Sequence, residues 1–418
     1  MNIILLFIIL FIILDFALER VLSALNAKDF GKPLPPELSG IYDDEKYRKQ
    51  QDYSLAKYKL GIVSAVVSLV VELLAFSLGW FGWLDRVLRE WLSPSLDTSL
   101  VGFAIVMCVL FFAVIIVANE IMDIPISYYS TFTIEERFGF NKCTRKLFWT
   151  DQIKDLCMSI IIAAVIFSLV TWIYMAVQDW FWLLAWGVLM AFQIFMLLFY
   201  CNLIVPLFNK QTPLEDGELR TKIENFASKV GFTLNNIYVM DSSKRSTHAN
   251  AYFTGLGAKK RIVLYDTLIK QLTIDEIVAV LAHEIGHYKK KHTMRMLFMS
   301  AISTLIMFII LGWAIKSPEL SVALGGPNES VFHLGVLAFA ILYTPISTLL
   351  GILTNKLSRR HEYQADAFAK QNGMAEELIS ALKKLSSESL SNLQPHKAYV
   401  FVHFSHPTLL RRIQKLNE

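Results

Sequence analysis

Residues 273–287 read Thr-Ile-Asp-Glu-Ile-Val-Ala-Val-Leu-Ala-His-Glu-Ile-Gly-His and end in the pentad His283-Glu284-Ile285-Gly286-His287. Thr273, followed three residues later by Glu276, forms a capping box, so the stretch is read as a helix. Helical positions four apart share a face, and His283 and His287 therefore reach one metal ion. Glu284 lies beside them, placed to take a proton from an attacking water. The competing reading is an accidental pair of histidines on an exposed helix. The cap and a carboxylate-bearing helix further along weigh against it, and the pattern is that of a zinc hydrolase with one Zn2+ per chain.

Outward from the pentad the chain turns apolar on both sides. Of its 418 residues 54% are hydrophobic and 18% charged, with 29 Phe and 9 Trp, which is too apolar for an ordinary soluble protein. A bilayer crossing takes about 20 apolar residues. Seven runs qualify: Ile3–Ala24, Leu60–Trp83, Leu100–Ile121, Leu156–Val177, Phe181–Phe208, Met296–Ile315 and Phe332–Leu353. The first lacks the basic start and small-residue cleavage site of a signal peptide and contains Asp15 and Glu19, so it is read as a retained span. The expected fold is mainly α, a polytopic membrane protein whose seven helices carry a cytoplasmic α+β head. Residues 1–208 form a five-helix N-terminal transmembrane region. Residues 209–418 form a zinc metallopeptidase domain that includes the spans 296–315 and 332–353.

Lys and Arg set the orientation. The segment after the first span holds Lys28, Lys32, Lys46, Arg48, Lys49, Lys57 and Lys59, and the next only Arg86 and Arg89. Rich and poor segments go on alternating, which places the N-terminus outside and the pentad and C-terminus in the cytoplasm. The net charge of +4 is dispersed and gives no nucleic-acid footprint; the partners implied are the lipid bilayer and a peptide. Cys108, Cys143, Cys157 and Cys201 have no C-x-x-C spacing and are read as packing residues. No feature fixes an oligomeric state.

The polar stretch between the fifth and sixth spans reads as a helix, Leu214–Val230, closed by Gly231, and a small sheet. Its strands are Asn236–Met240, Ala249–Thr254 and Arg261–Tyr265, with a turn at Gly255-Leu256-Gly257. After the seventh span a continuing helix carries His361, Glu362 and Asp366. Glu362 and Asp366 share a face. The pentad lacks the third histidine of the metzincin pattern, so a downstream Glu is the expected ligand. His361 is the rival, but Glu362 leaves Asp366 free to orient a histidine from behind. One of Arg359, Arg360, Arg411 and Arg412 is expected to hold Glu362 or a substrate carboxylate. His248, His292 and His403 read as solvated or packing residues. His406, ahead of Pro407, reads equally as a surface residue or as an N–H donor to an oxyanion.

The pentad, the Ser358–Ala369 stretch and Ser405-His406-Pro407-Thr408 resemble the type 1 CAAX prenyl endopeptidases of membranes. Residues 129–141, Tyr-Ser-Thr-Phe-Thr-Ile-Glu-Glu-Arg-Phe-Gly-Phe-Asn, and Thr150-Asp151-Gln152-Ile153-Lys154 add to the likeness. The resemblance implies that Glu362 is the third zinc ligand, that Asp366 is a proton donor and that His406 stabilises the oxyanion. It implies that Asn250, Ala251 and Tyr252 lie on an edge strand that pairs with an extended peptide. It also implies a chamber enclosed by the seven helices and removal of C-terminal residues after a prenylated Cys. Short outer loops and the lack of a terminal lysine retrieval motif point to a bacterial inner membrane, with the endoplasmic reticulum as the eukaryotic alternative. General quality control of membrane proteins is the alternative activity. From another class, the alternative is a seven-span channel or receptor with a structural metal, although such a metal is usually closed by four ligands rather than three and a Glu base.

Overall fold

The computed structural model describes residues 2–232, 237–254 and 261–418. Long apolar helices dominate: Ile3–Lys28, Asp44–Ser77, Val101–Tyr129, Arg145–Val177, Phe181–Leu203, His292–Ala314, and the pair Phe332–Leu342 and Thr344–Gln371. Among the described residues, four helical segments are long and apolar enough to cross a membrane, or five with that pair, which bends by 54°. One of the four, Arg145–Phe208, is a hairpin. It reverses at Gln178 (φ +32°) and brings Lys154 Nζ to 2.7 Å from the Leu207 carbonyl. Ile3–Lys28 carries Asp15, Glu19 and Arg20 inside its length and is not among the four.

Two expected spans depart from a single straight helix. Leu60–Trp83 breaks where Asp44–Ser77 ends; Gly79 takes φ +66°, and Trp80–Leu92 forms a separate helix. Gly82 of that helix meets Gly325 so closely that a Cβ would sit 2.1 Å from the Gly325 carbonyl carbon. Asp85 is buried one turn further on, its Oδ1 2.9 Å from His333 Nε2. Phe332–Leu353 bends because Pro345, in the first turn of the second helix, has no N–H to continue the hydrogen-bond ladder. The polar remainder of that helix, 355–371, runs beyond the apolar span.

The head is built around a four-stranded sheet of order β1 (Gln211–Pro213), β2 (Ile237–Met240), β4 (Arg261–Tyr265) and β3 (Ala251–Thr254). β2 and β4 are parallel; β3 runs antiparallel to β4, with Tyr252 opposite Val263, and lies at the sheet edge. The expected helix Leu214–Val230 is shorter, Glu218–Lys229, because Leu214 continues the sheet by donating to the Ile237 carbonyl at 2.9 Å. Gly231 ends it at φ +61°, in the left-handed region that favours glycine. The turn expected at Gly255-Leu256-Gly257 and residue Asn236 lie outside the described residues.

The pentad helix, Ile274–Lys289, buries Ile277, Val278, Leu281, Ala282 and Ile285 against this sheet and the helix Ala375–Glu388. Its capping box is formed: Thr273 Oγ1 accepts from the Glu276 N–H and Glu276 Oε2 from the Thr273 N–H at 2.8 Å. Ser380 Oγ (2.6 Å) and Lys384 Nζ (2.8 Å) also donate to Glu276 and tie the start of the helix to Ala375–Glu388. Burial alone would raise the Glu276 carboxyl, but these donors hold it at about 2, below its ordinary 4.5. A lowered folded-state value gives stability that is present above the unfolded value and lost on acidification. Glu276→Gln therefore lowers the unfolding temperature at pH 7. Unfolding of both proteins measured across pH should show the gap narrowing below about pH 4.5 towards about pH 2.

Candidate active site

The pentad helix presents His283 and His287 on the face that meets Thr344–Gln371, and Gly286 sets how near that helix comes. A Cβ on Gly286 would lie 3.0 Å from Ala365 Cα, tighter than the great majority of real contacts. Glu362, three residues before Ala365, is thereby brought onto the two imidazoles. His283 Nε2 and His287 Nε2 are 3.1 Å apart, and the Glu362 oxygens lie 3.4 Å from the first and 3.2 Å from the second. Ligand atoms bound tetrahedrally at zinc distances stand about 3.3 Å apart, so the three side chains match such an ion. Glu362 Oε2 is buried and accepts no hydrogen bond, a cost that a cation would remove.

Behind the histidines each imidazole is fixed by its other nitrogen. Asp366 Oδ1 lies 2.8 Å from His283 Nδ1, which keeps the proton there and turns the Nε2 lone pair to the ligand group. Arg412 clamps Asp366 with Nε to Oδ2 at 2.9 Å and Nη2 to Oδ1 at 2.6 Å, and its Nη1 lies 3.8 Å from Glu362. His287 Nδ1 faces His292 Nδ1 at 3.0 Å, and His292 Nε2 faces Gln364 Oε1 at 2.9 Å. An amide oxygen only accepts, so His292 carries its proton on Nε2, and its Nδ1 accepts from His287. His361 stacks on His292 with ring centroids 4.1 Å apart and does not join the ligand group.

The carboxylates favour positive charge in the site, on a bound cation or on His283 itself. Burial would lower His283, yet the Asp366 carboxylate bonded to its Nδ1 and the Glu362 carboxylate beside its Nε2 push it up to about 9. Burial would raise Glu362, but the imidazoles of His283 and His287 beside it hold it well below the usual carboxylate range. Asp366 is likewise held down against its burial by His283 and Arg412.

The group opens on a cavity of about 880 Å³, whose walls include Glu284 and His406 and, deeper, Met296, Leu297, Met307 and Leu350. His406 Nε2 is 3.5 Å from Glu362 Oε1, and its Nδ1 is 2.9 Å from Ser405 Oγ. Asp366 is not on the cavity wall; it stands behind His283. Asn250, Ala251 and Tyr252 do not line the cavity either. Ala251 and Tyr252 lie in β3, which packs beside the pentad helix, and Asn250 immediately precedes it.

Three residues of this network were not singled out by sequence. His292, read as a solvated or packing residue, is buried and belongs to the network. It follows Lys291 at φ +56°, a break in the helix that lets a residue five positions on fold back to His287, and periodicity carries no sign of it. Arg412 could not be told from its three arginine neighbours, and Gln364 had no signal. His248 stacks on Phe140 at 4.5 Å and stands 3.7 Å from Glu135, so it too is a packed residue.

Comparison with known proteins covers nearly the whole chain. A family model described as CAAX prenyl protease N-terminal, five membrane helices, matches residues 24–210, and one described as Peptidase family M48 matches residues 213–418. The chain is 36% identical to CAAX prenyl protease 1 of Saccharomyces cerevisiae, over 97% of this chain and 94% of the relative. It is 32% identical to the CAAX prenyl protease 1 homolog of Homo sapiens, over 92% of this chain and 88% of the relative. The crystal structure of S. mikatae Ste24p superposes with a TM-score of 0.92 at 36% identity, covering 99% of both chains.

Partners behind metal-ligating histidines typically set metal affinity by roughly 10–100-fold. His292→Ala and Asp366→Asn are each expected to weaken zinc binding within that range, measured by competition with a chelator. Glu362→Ala should lower zinc content outright, and His361→Ala should leave it near wild type. The reverse order for the last two would reject the ligand set.

Proposed function

The chain belongs to Peptidase family M48 together with the CAAX prenyl proteases, and from that premise we propose how its own residues carry out peptide hydrolysis. It is a multi-pass membrane metallopeptidase of the CAAX-processing type. The observation that carries the assignment of residues is the meeting of His283, His287 and Glu362 beside Glu284 on one cavity wall.

We assign His283, His287 and Glu362 as the zinc ligands. Zinc held there supplies a Lewis acid that lowers the pKa of water towards neutrality and polarises a carbonyl. Glu284 accepts the proton of the attacking water and passes it to the leaving amine. His406 donates an N–H to the developing oxyanion from across the Glu362 carboxylate. Both oxygens of Asp366 already accept from His283 and Arg412, so we assign it to orienting His283 rather than to proton donation. The edge of β3, with Asn250, Ala251 and Tyr252 at its start, binds the peptide extended by main-chain pairing.

The architecture proposed around this site has seven passes. Counting the hairpin Arg145–Phe208 as two, the bent pair as one and the charged helix Ile3–Lys28 as a pass gives that number. Residues 1–208 form the five-helix region and 209–418 the peptidase domain, with its head on the cytoplasmic side marked by the positive charges. The short outer segments favour a bacterial inner membrane, and the endoplasmic reticulum is the alternative compartment.

Glu284→Gln tests the base. The variant is expected to lose hydrolysis of a quenched peptide by at least about 100-fold, within the usual range for a general base, while about one zinc stays bound per chain. Substantial remaining turnover, or loss of zinc, would reject the role.

Substrate class is tested with one peptide made with and without a farnesylated Cys. The apolar depth of the cavity suits an isoprenoid, and each buried carbon contributes up to about 0.8 kcal/mol. The farnesylated peptide is expected to bind more tightly, with both forms cleaved because main-chain pairing is common to both. Cleavage of the farnesylated form alone would mark a dedicated prenyl-protein processor. Equal handling of both would favour general proteolysis of membrane-associated polypeptides.

A further inference from the structure

A second large cavity, of about 910 Å³, lies between the end of Ile3–Lys28, the helix Thr344–Gln371 and the C-terminal helices Lys397–His403 and Leu409–Asn417. Its walls carry Lys28, Lys32, Arg359, His396, Lys397 and Arg411 against one acid, Asp29. Asp29 is already paired with Lys32. Lys28, Lys397 and Arg411 are exposed and make no ion pair within 4 Å among the described residues. Arg359 donates only to the carbonyls of Val400, Phe401 and Phe404 at the end of Lys397–His403. Such a set of cations around one hollow repels itself unless an anion occupies it.

The helix that leads to this groove says which anion fits. Leu10, Leu14, Leu18 and Val21 of Ile3–Lys28 are exposed and apolar, and at helical spacing their stripe continues through Leu25 to Lys28. A different face of the helix, about 100° round from Leu14 and Leu18, carries Asp15 and Glu19 into a separate, smaller cavity shared with Glu72 and Asn119. The apolar face is therefore the one turned to lipid. An acyl chain lying along Leu14, Leu18 and Val21 delivers its headgroup to Lys28, one turn beyond Leu25. Phe401, 54% exposed on the facing helix, adds apolar surface beside the groove.

We propose that this groove binds the headgroup phosphate of an anionic phospholipid from the leaflet on the side of the head. Lys28 and Arg411 contact the phosphate, Lys397 closes the outer rim, and Arg359 contributes field from the inner wall. Pro407 and Thr408 form part of the same wall, so the lipid seats against the loop that carries His406.

The test uses full-length protein in nanodiscs of phosphatidylcholine doped with phosphatidylglycerol, extracted into mild detergent and weighed intact. Wild type is expected to retain phosphatidylglycerol in preference to phosphatidylcholine. Each basic residue near a membrane surface is worth roughly fivefold in binding an anionic lipid, so K28Q/R411Q should retain about 25-fold less. The charge-conserving pair Lys28→Arg and Arg411→Lys should restore retention. K28Q and K397Q alone, each at an exposed position, give the same reading at about fivefold if the double variant does not fold. Undiminished retention by folded K28Q/R411Q overturns the site. Displacement of the lipid by inorganic phosphate also overturns it, since the groove would then be a site for free anions. Retention is read without substrate, so its failure is distinct from failure of the peptidase assignment.

Discussion

The site depends on two helices touching where one has no side chain. Gly286 lets the pentad helix lie against Ala365, and a methyl group there would have to push the helix Thr344–Gln371 aside. With the helices at that spacing, Glu362 reaches both His283 and His287, and Asp366, one turn later, reaches the back of His283. The contact gathers acids as well as histidines. Glu362 and Asp366 are buried with one arginine, and Glu284 stands on the same cavity wall. Buried charge is costly unless paired, and removing one partner leaves the other stranded. With the histidines neutral, as metal ligands must be, three carboxylates against Arg412 leave an excess of two negative charges, which a divalent cation neutralises. The capping box and the Ser380 and Lys384 bonds to Glu276 hold the other end of the pentad helix, so its register over Ala365 is set at both ends.

This accounts for which parts of the site could be read in the chain. His283, His287 and Glu284 lie in one helical turn, where local spacing fixes geometry, and Thr273 with Glu276 marks where that helix begins. Glu362 and Asp366 could be proposed because the pentad alone is an incomplete ligand set. Arg412 and His292 are different in kind. Arg412 acts across 46 residues on Asp366, and no spacing rule separates it from Arg411. His292 reaches His287 only because Lys291 breaks the helix with a positive φ. Such partners are fixed by tertiary packing, which periodicity does not encode.

The apolar runs behave in the same way. Hydropathy finds runs that lie in helices, but it does not see where they bend. Gly79 and the close approach of Gly82 to Gly325 turn one run into a crossing helix and a separate short one. Pro345 splits another. In both cases backbone geometry, at a glycine or a proline, overrides a continuous hydrophobic pattern.

The second of these bends also connects membrane to chemistry. After Pro345 the helix runs from its apolar span to Glu362, and Ser347, Gly351, Thr354, Ser358 and Glu362 follow one another along one face, all on the cavity wall. Met296, Ser300, Thr304 and Met307 of His292–Ala314 form the facing wall, and that helix begins at the residue which orients His287. Each of these two walls is one continuous helix, with small or flexible side chains along its apolar length and a proposed ligand or its support at the other end. On the proposed assignment, a tail lodged between the walls and a peptide at His283, His287 and Glu362 would be held by the same two rods. A substrate anchored by lipid would then meet Glu284, the proposed base, without leaving the protein.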